Sequence, residues 1–370
     1  MSFRLFILFI LYCFSVPASA QIIIKGKVLD KISGAPIVNA SVYLNNTSAG
    51  TVSGSNGEFM LSVKSVYTGE LIVSSVGYQP VSYKLSSATA DKTFFTFKLQ
   101  IKESMLTGVL VMNDAQRKAW LKIFKENFLG ITEEADNCII ENTDAVYFAA
   151  GENKNSIYAY ADTPLVIINK LLGYRISFDL MEFSYDKEKN STYFLGYSRY
   201  DDMGDKKRWV KRRKQNYFGS TMHFYRALTS NDLTAQGFSI YNIKKQRLNT
   251  DSLSHSQLQG NKQNNLSVAY AITASDILIK DSAAGKFYVS SANQVMVKYK
   301  EAPHSRFYLA NKVLVRGLDR FGFTAYITLQ DSKVEVDSNG IIFSPLAVIY
   351  DGFWVYEKLG NQVPFNYVPD

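Results

Sequence analysis

From residue 22 onward the chain alternates apolar and polar positions in short runs. Ile22, Ile24 and Val28 form the first run and Ala40, Val42 and Leu44 the second. Phe59, Leu61 and Val63 form the third, and Leu71, Val73 and Val76 the fourth. Period two, with Gly, Asn, Ser and Pro between the runs, is the pattern of strands joined by turns. Lys31-Ile32-Ser33-Gly34-Ala35-Pro36 reads as one such turn. Asn56-Gly57 reads as a hairpin turn, because both residues accept positive φ. Thr93, Phe95 and Phe97 alternate with Phe94, Thr96 and Lys98 and supply a last strand within 86–105. Short strands at roughly ten-residue spacing predict an all-β sandwich over residues 21–100. A linker follows at 101–113, in which 108–112 reads as a short strand or connecting chain.

At Asp114 the period lengthens to that of a helix. Asp114 is placed as its N-cap, Trp120, Ile123, Phe124 and Phe128 form one inward stripe, and Gly130 ends it. Residues 145–150 and 157–161 read as strands, and 164–172 as a helical turn or short helix. Residues 176–185 and 193–197 read as a hairpin across Asp186-Lys187-Glu188-Lys189-Asn190. Residues 219–228 open and form a helix, and 237–241 return to extended chain. The region 114–243 is thus mixed α/β. Residues 244–265, rich in Gln, Asn and Ser, read as an exposed polar loop. Strands dominate 266–370, at 287–289, 294–299, 307–309, 323–329 and 334–336. Ser338-Asn339-Gly340 turns the chain back to 341–343, and 347–349 and 353–355 complete the end. The expected fold class is multidomain. An N-terminal all-β sandwich is followed by a mixed α/β (α+β) body with a β-rich C-terminal part.

The first twenty residues bear on compartment. Arg4 precedes an apolar run from Leu5 to Val16, and Ala18-Ser19-Ala20 has the small side chains of a cleavage site. Residues 1–20 therefore read as a secretory signal peptide, with Gln21 the first mature residue. Tyr12 immediately before Cys13 argues against a lipid-anchored start. No later stretch holds eighteen apolar residues in a row, so no transmembrane segment is expected after signal cleavage. The expected location is exported: periplasm, or association with the outer membrane or cell surface. Cys138 is the one cysteine left, which excludes an intrachain disulfide. It reads as a buried, inert thiol, since no base is legible nearby.

Several pieces of the N-terminal stretch resemble a known family. They are Gly26-Lys27-Val28-Leu29-Asp30, Gly34-Ala35-Pro36-Ile37, Ala40-Ser41-Val42, Gly50-Thr51, Ser53-Gly54-Ser55-Asn56-Gly57-Glu58-Phe59 and Val76-Gly77-Tyr78. Together they resemble the carboxypeptidase-regulatory-like domain, a transthyretin-like β-sandwich common in exported proteins of Bacteroidetes-type bacteria. The resemblance covers about a fifth of the chain. It implies an accessory module and brings no catalytic centre. The body resembles the second part of exported Bacteroidetes proteins that carry the same sandwich and no receptor barrel. The matching pieces there are Phe128-Leu129-Gly130, Asn137-Cys138, Pro164-Leu165, Leu172-Gly173-Tyr174, Tyr217-Phe218-Gly219-Ser220 with His223-Phe224, Asn339-Gly340 and Gly352-Phe353-Trp354. That resemblance implies no activity.

The formal charge of +8 suits a soluble basic protein, and also one that touches anionic glycans or lipid head groups. Its densest source is Lys206, Lys207, Arg208, Lys211, Arg212, Arg213 and Lys214, with Trp209 among them. Such a run can grip phosphate or uronate groups. In a helix, Trp209, Arg213 and Tyr217 would share one face, and the run would equally serve as a solvated helix side. Nucleic acid is not expected as a partner of an exported chain without a binding motif.

The three histidines, His223, His255 and His304, are far apart and form no metal-ligand pair, so neither a metal nor another cofactor is expected. Ser220 and His223 lie three apart, a polar pair that offers a nucleophile and a base. No G-x-S-x-G accompanies them, and Ser220 reads more simply as an N-cap. Asp179 and Glu182 would occupy opposite faces of one strand, which argues against a glycosidase pair. No catalytic residue is assigned. The expected role is a non-catalytic binding or structural one in the cell envelope, with another envelope protein as a further partner class. The alternative is a glycan- or peptide-directed hydrolase whose residues converge only in the fold. A closed outer-membrane barrel is not expected, because helices interrupt the body.

Overall fold

The computed structural model describes residues 22–63, 69–85, 94–102, 112–151, 156–247, 265–301, 318–319 and 322–369. The signal peptide, the strand expected at 307–309, His255, His304 and most of the expected linker lie outside these residues. The chain divides into two compact units, 1–45 with 49–102 and 46–48 with 103–370.

The first unit is a β-sandwich. Its strands are β1 (Ile22–Asp30), β2 (Ser41–Leu44), β3 (Gly50–Val52), β4 (Glu58–Val63), β5 (Glu70–Ser74), β6 (Val81–Lys84) and β7 (Phe95–Leu99). One sheet runs β4-β1-β7 and the other β3-β2-β5-β6. In β4 and β7 the alternation read from sequence is the burial pattern: Phe59, Leu61 and Val63 point inward, as do Phe95, Phe97 and Leu99. In β2 and β5 consecutive residues are buried instead, and Val76, expected in the fourth run, lies exposed beyond the end of β5. Val28, Val42, Leu71, Val73 and Leu99 are fully buried at its centre. Asn56-Gly57 does form a turn, with Gly57 at φ 79°. The strands on either side of it pair in different sheets, however, so it is a crossover between layers and not a hairpin.

The second unit is α+β. It contains α1 (Asp114–Phe128), α2 (Glu133–Asp136), β8 (Cys138–Ile140), β9 (Val146–Ala150), β10 (Ser156–Ala161), β11 (Leu165–Asn169), β12 (Tyr174–Asp186) and β13 (Ser191–Asp202). Then come α3 (Lys207–Tyr217), α4 (Thr221–Thr229), β14 (Phe238–Arg247), β15 (Asn265–Ile272), β16 (Leu278–Asp281), β17 (Lys286–Val289) and β18 (Gln294–Tyr299). The last strands are β19 (Leu318–Asp319), β20 (Gly322–Leu329), β21 (Val334–Val336) and β22 (Val348–Gly352). A six-stranded antiparallel sheet runs β8-β11-β12-β10-β9, with β13 on the other side of β12. A second runs β15-β14-β18-β20-β19 with β22 on β20, and a small third is β16-β17-β21.

Phe124 and Phe128 of α1 are fully buried against Phe148, Phe178, Phe183 and Phe194 of the first sheet. Phe224 and Leu228 of α4 join the core of the second sheet, while Met222 on the same helix joins the core of the first.

Four local expectations are corrected. The N-cap of α1 is Asn113, whose side chain accepts from the Gln116 N–H, and Asp114 is the first helical residue. Residues 165–169 form strand β11 and not a helical turn, because β-branched Val166, Ile167 and Ile168 fit an alternating, half-buried strand. The polar stretch is shorter than 244–265, since β14 runs through Arg247 and β15 starts at Asn265, paired in regular register. Residues Phe353–Tyr356 form a 3₁₀ turn, not a strand, after Gly352 at φ 74°.

Candidate functional site

Helix α3 carries the basic run, and its two sides have different fates. Trp209, Arg213 and Tyr217 are buried, four residues apart on the inward face. The Trp209 indole donates to the Lys170 carbonyl at 2.9 Å and lies against Gly173. The Arg213 guanidinium donates to the carbonyls of Leu172 at 2.7 Å and Gly173 at 3.0 Å, and to both Asp202 carboxylate oxygens at 2.7 and 3.1 Å. It also lies 4.1 Å over the Tyr174 ring. Arg212 bridges Glu133 at 3.1 Å and the buried Glu134 at 3.2 Å. Glu134 is held further by Asn216 and Asn361. Lys206, Lys207, Arg208, Lys211 and Lys214 are exposed. The Lys206 ammonium sits 4.5 Å over the Trp209 ring. Of the eight residues of the basic run, five cations thus face water, and Trp209, Arg212 and Arg213 tie the helix to the body.

Ser220 and His223 are brought together, but not as nucleophile and base. The Ser220 hydroxyl accepts the His223 backbone N–H at 3.2 Å and donates to the Tyr217 carbonyl at 2.7 Å, the geometry of a helix cap. The His223 ring is engaged at both nitrogens. Nδ1 accepts the Gly219 N–H at 3.0 Å, which leaves the proton on Nε2, 3.0 Å from the Gln236 amide oxygen. The ring packs among Tyr217, Phe218, Phe238 and Tyr299. Loss of hydration lowers its pKa and keeps it neutral. Burial and the Glu134 carboxylate push the Cys138 thiol up to about 12, and it donates to the Glu134 carbonyl. Among the described residues no three His, Cys, Asp or Glu side chains gather as a metal-binding group.

One surface was not visible in the sequence. Strand β12 carries a bulge between Leu180 and Glu182. Asp179 then pairs with Tyr197, and Glu182 with Leu195. Tyr197 and Leu195 are two apart on an unbroken strand, so Asp179 and Glu182 share the outer face, against the expectation of opposite faces. Tyr147, Tyr158, Tyr160 and Tyr193 share that face. The i, i+2 spacing of Tyr158 and Tyr160 was the available signal. The bulge, which sets the company they keep, has no mark in composition.

Fold and surfaces together describe a β-sandwich module followed by an α+β body with a pinned cationic helix. Residues 24–111 match the CarboxypepD_reg-like domain family, and the N-terminal unit is a domain of that kind. No curated protein matches the chain. Among solved structures, a protein of unknown function from Bacteroides fragilis is 10% identical, covering 91% of this chain and 94% of its own, with a TM-score of 0.18. A DUF3823 family protein from Bacteroides uniformis is 11% identical, covering 86% of this chain and 99% of its own, with a TM-score of 0.15. Another from Bacteroides ovatus is 9% identical, covering 86% and 100%, with a TM-score of 0.14. Superpositions this loose decide neither fold nor function.

Proposed function

We propose that the protein is a non-catalytic binding component of the bacterial cell envelope, exported by its N-terminal signal, which meets anionic groups through the outward side of α3. The observation that carries this reading is the pinning of the helix. Trp209 and Arg213 hold its inner side through bonds to Lys170, Leu172, Gly173 and Asp202. Lys207, Arg208 and Lys211 therefore stand in water on a fixed support, and a preorganised array loses less entropy on meeting a polyanion than a flexible one. An accessory role for the sandwich is in keeping with this.

The test is a charge reversal, Lys207→Glu with Arg208→Glu and Lys211→Glu, in the full mature chain. Binding is measured to vesicles with and without anionic lipid and to an acidic polysaccharide. Each exposed cation near an anionic surface contributes about 1 kcal/mol, so the triple variant is expected to bind roughly a hundredfold more weakly at low salt. The two probes separate lipid from glycan. Unchanged binding to both removes the reading.

The hydrolase alternative keeps one observation in its favour, the placing of Asp179 and Glu182 on one face by the bulge. Turnover of a glycan by the mature protein, lost in Glu182→Gln, would establish it in place of the binding role.

A further inference from the structure

One end of the outer face of the six-stranded sheet, where β9, β10, β12 and β13 meet, is rich in tyrosine. In antiparallel strands, residues directly opposite one another point to the same side. The register therefore sets Tyr147 beside Tyr160, Tyr158 beside Ser184, and Ser184 beside Tyr193. Tyr158 and Tyr193 stand two strands apart, about 10 Å. Glu182 is aimed to the same side by the bulge, and its charge reaches both Tyr160 and Tyr193. All five side chains are part-buried and none is covered completely. Among the described residues, the four phenol groups make no hydrogen bond and no ring contact, and Glu182 pairs with no cation.

A carboxylate that no cation of the folded chain engages is open to pairing with a cationic group of a ligand. The faces of the surrounding rings are also negative, so they add to the pull on a positive group. The same ring faces attract the C–H side of a pyranose, and their spacing lets successive sugars lie across the strands. We propose that this face binds a chain of amino sugars with free ammonium groups, its pyranose rings lying on Tyr158, Tyr160 and Tyr193 and an ammonium paired with Glu182. The site has the opposite sign to helix α3, so it stands or falls independently of the anion-binding reading.

The test uses the full mature protein and two probes with one backbone, a chitosan oligosaccharide and its fully N-acetylated counterpart, at mildly acidic pH. Calorimetry is expected to show tighter binding of the chitosan chain. Glu182→Gln should weaken that binding by about tenfold or more, the worth of a charge-assisted hydrogen bond, and abolish the preference between probes. Tyr158→Thr with Tyr193→Thr, substitutes that suit a strand, should weaken both probes. Lys207→Glu with Lys211→Glu on α3 should weaken neither. A measurement on the unaltered protein guards against unfolded variants: the chitosan chain should slow nitration of Tyr158, Tyr160 and Tyr193 by tetranitromethane. Equal affinity for the two probes, indifference to Glu182→Gln, equally tight binding of polylysine, or unprotected tyrosines would each overturn the proposal.

Discussion

Glu357 shows how a single side chain can set a pH dependence. Its carboxyl is pushed up to about 8, first by loss of hydration and then by the nearby Glu134 carboxylate. In the unfolded chain a Glu titrates near 4.3. Between those values the folded protein keeps a proton that the unfolded chain has released. Glu357 therefore lowers stability progressively as pH rises from about 4.3 to 8, and its full cost persists above that. Glu357→Gln imitates the protonated form at every pH. The variant should match the parent near pH 4 and exceed it above pH 8, by up to about 3 kcal/mol once its partial exposure to water is discounted. Denaturant midpoints at several pH values check this, and parallel pH profiles for the two proteins would refute it. His223 works in the opposite sense: with its pKa lowered, its contribution is lost as the medium is acidified below the ordinary histidine range. Neither effect could be read from sequence, since the hydration of Glu357 and His223 is set by segments remote in the chain.

At the level of elements, helix α3 makes the sharpest contrast between neighbouring residues of like charge. Arg213 is 4% exposed and satisfied by carbonyls and a carboxylate from the turn before β12 and the end of β13. Lys211, two residues earlier, is in water. Arg213→Ala removes a donor to the Leu172, Gly173 and Gly204 carbonyls and the partner of the half-exposed Asp202 carboxylate, and should cost about 2–3 kcal/mol, whereas Lys211→Ala should stay within about 0.5 kcal/mol. Chemical denaturation of the two variants decides it; similar midpoints would mean the Arg213 cluster contributes little. The four-residue spacing of Trp209, Arg213 and Tyr217 made the inward face legible in advance. The identity of the Arg213 partners was not, because Asp202, Leu172 and Gly173 meet it only in the fold. The same limit explains the other misses. Hydrophobic period found α1, the β12–β13 pair and most strands. It misjudged β11, whose short apolar run suits either state, and it could not register a one-residue bulge that rephases every side chain after it.

On the scale of the molecule, the two units differ in how their cores are assembled. The sandwich draws its buried cluster, from Ile24 to Leu99, from its own strands and the turns between them. Strand β1 is its keystone, paired antiparallel with β4 and parallel with β7. The second unit has two large clusters, yet α4 supplies Met222 to one and Phe224 to the other, and Phe218 packs on both. Loss of either cluster removes the support of that helix, so this unit should unfold as one. A sandwich with a self-contained core should, in turn, fold without the body. Residues 21–102 expressed alone are expected to give dispersed amide resonances and a cooperative thermal transition. Residues 21–94 should give neither, since losing β7 strips Phe95, Phe97 and Leu99 from the core and exposes the edge of β1. A disordered 21–102 fragment would mean that the sandwich depends on the body for its stability. A folded 21–94 fragment would mean that β4 alone suffices to hold β1, and that the parallel pairing with β7 is dispensable.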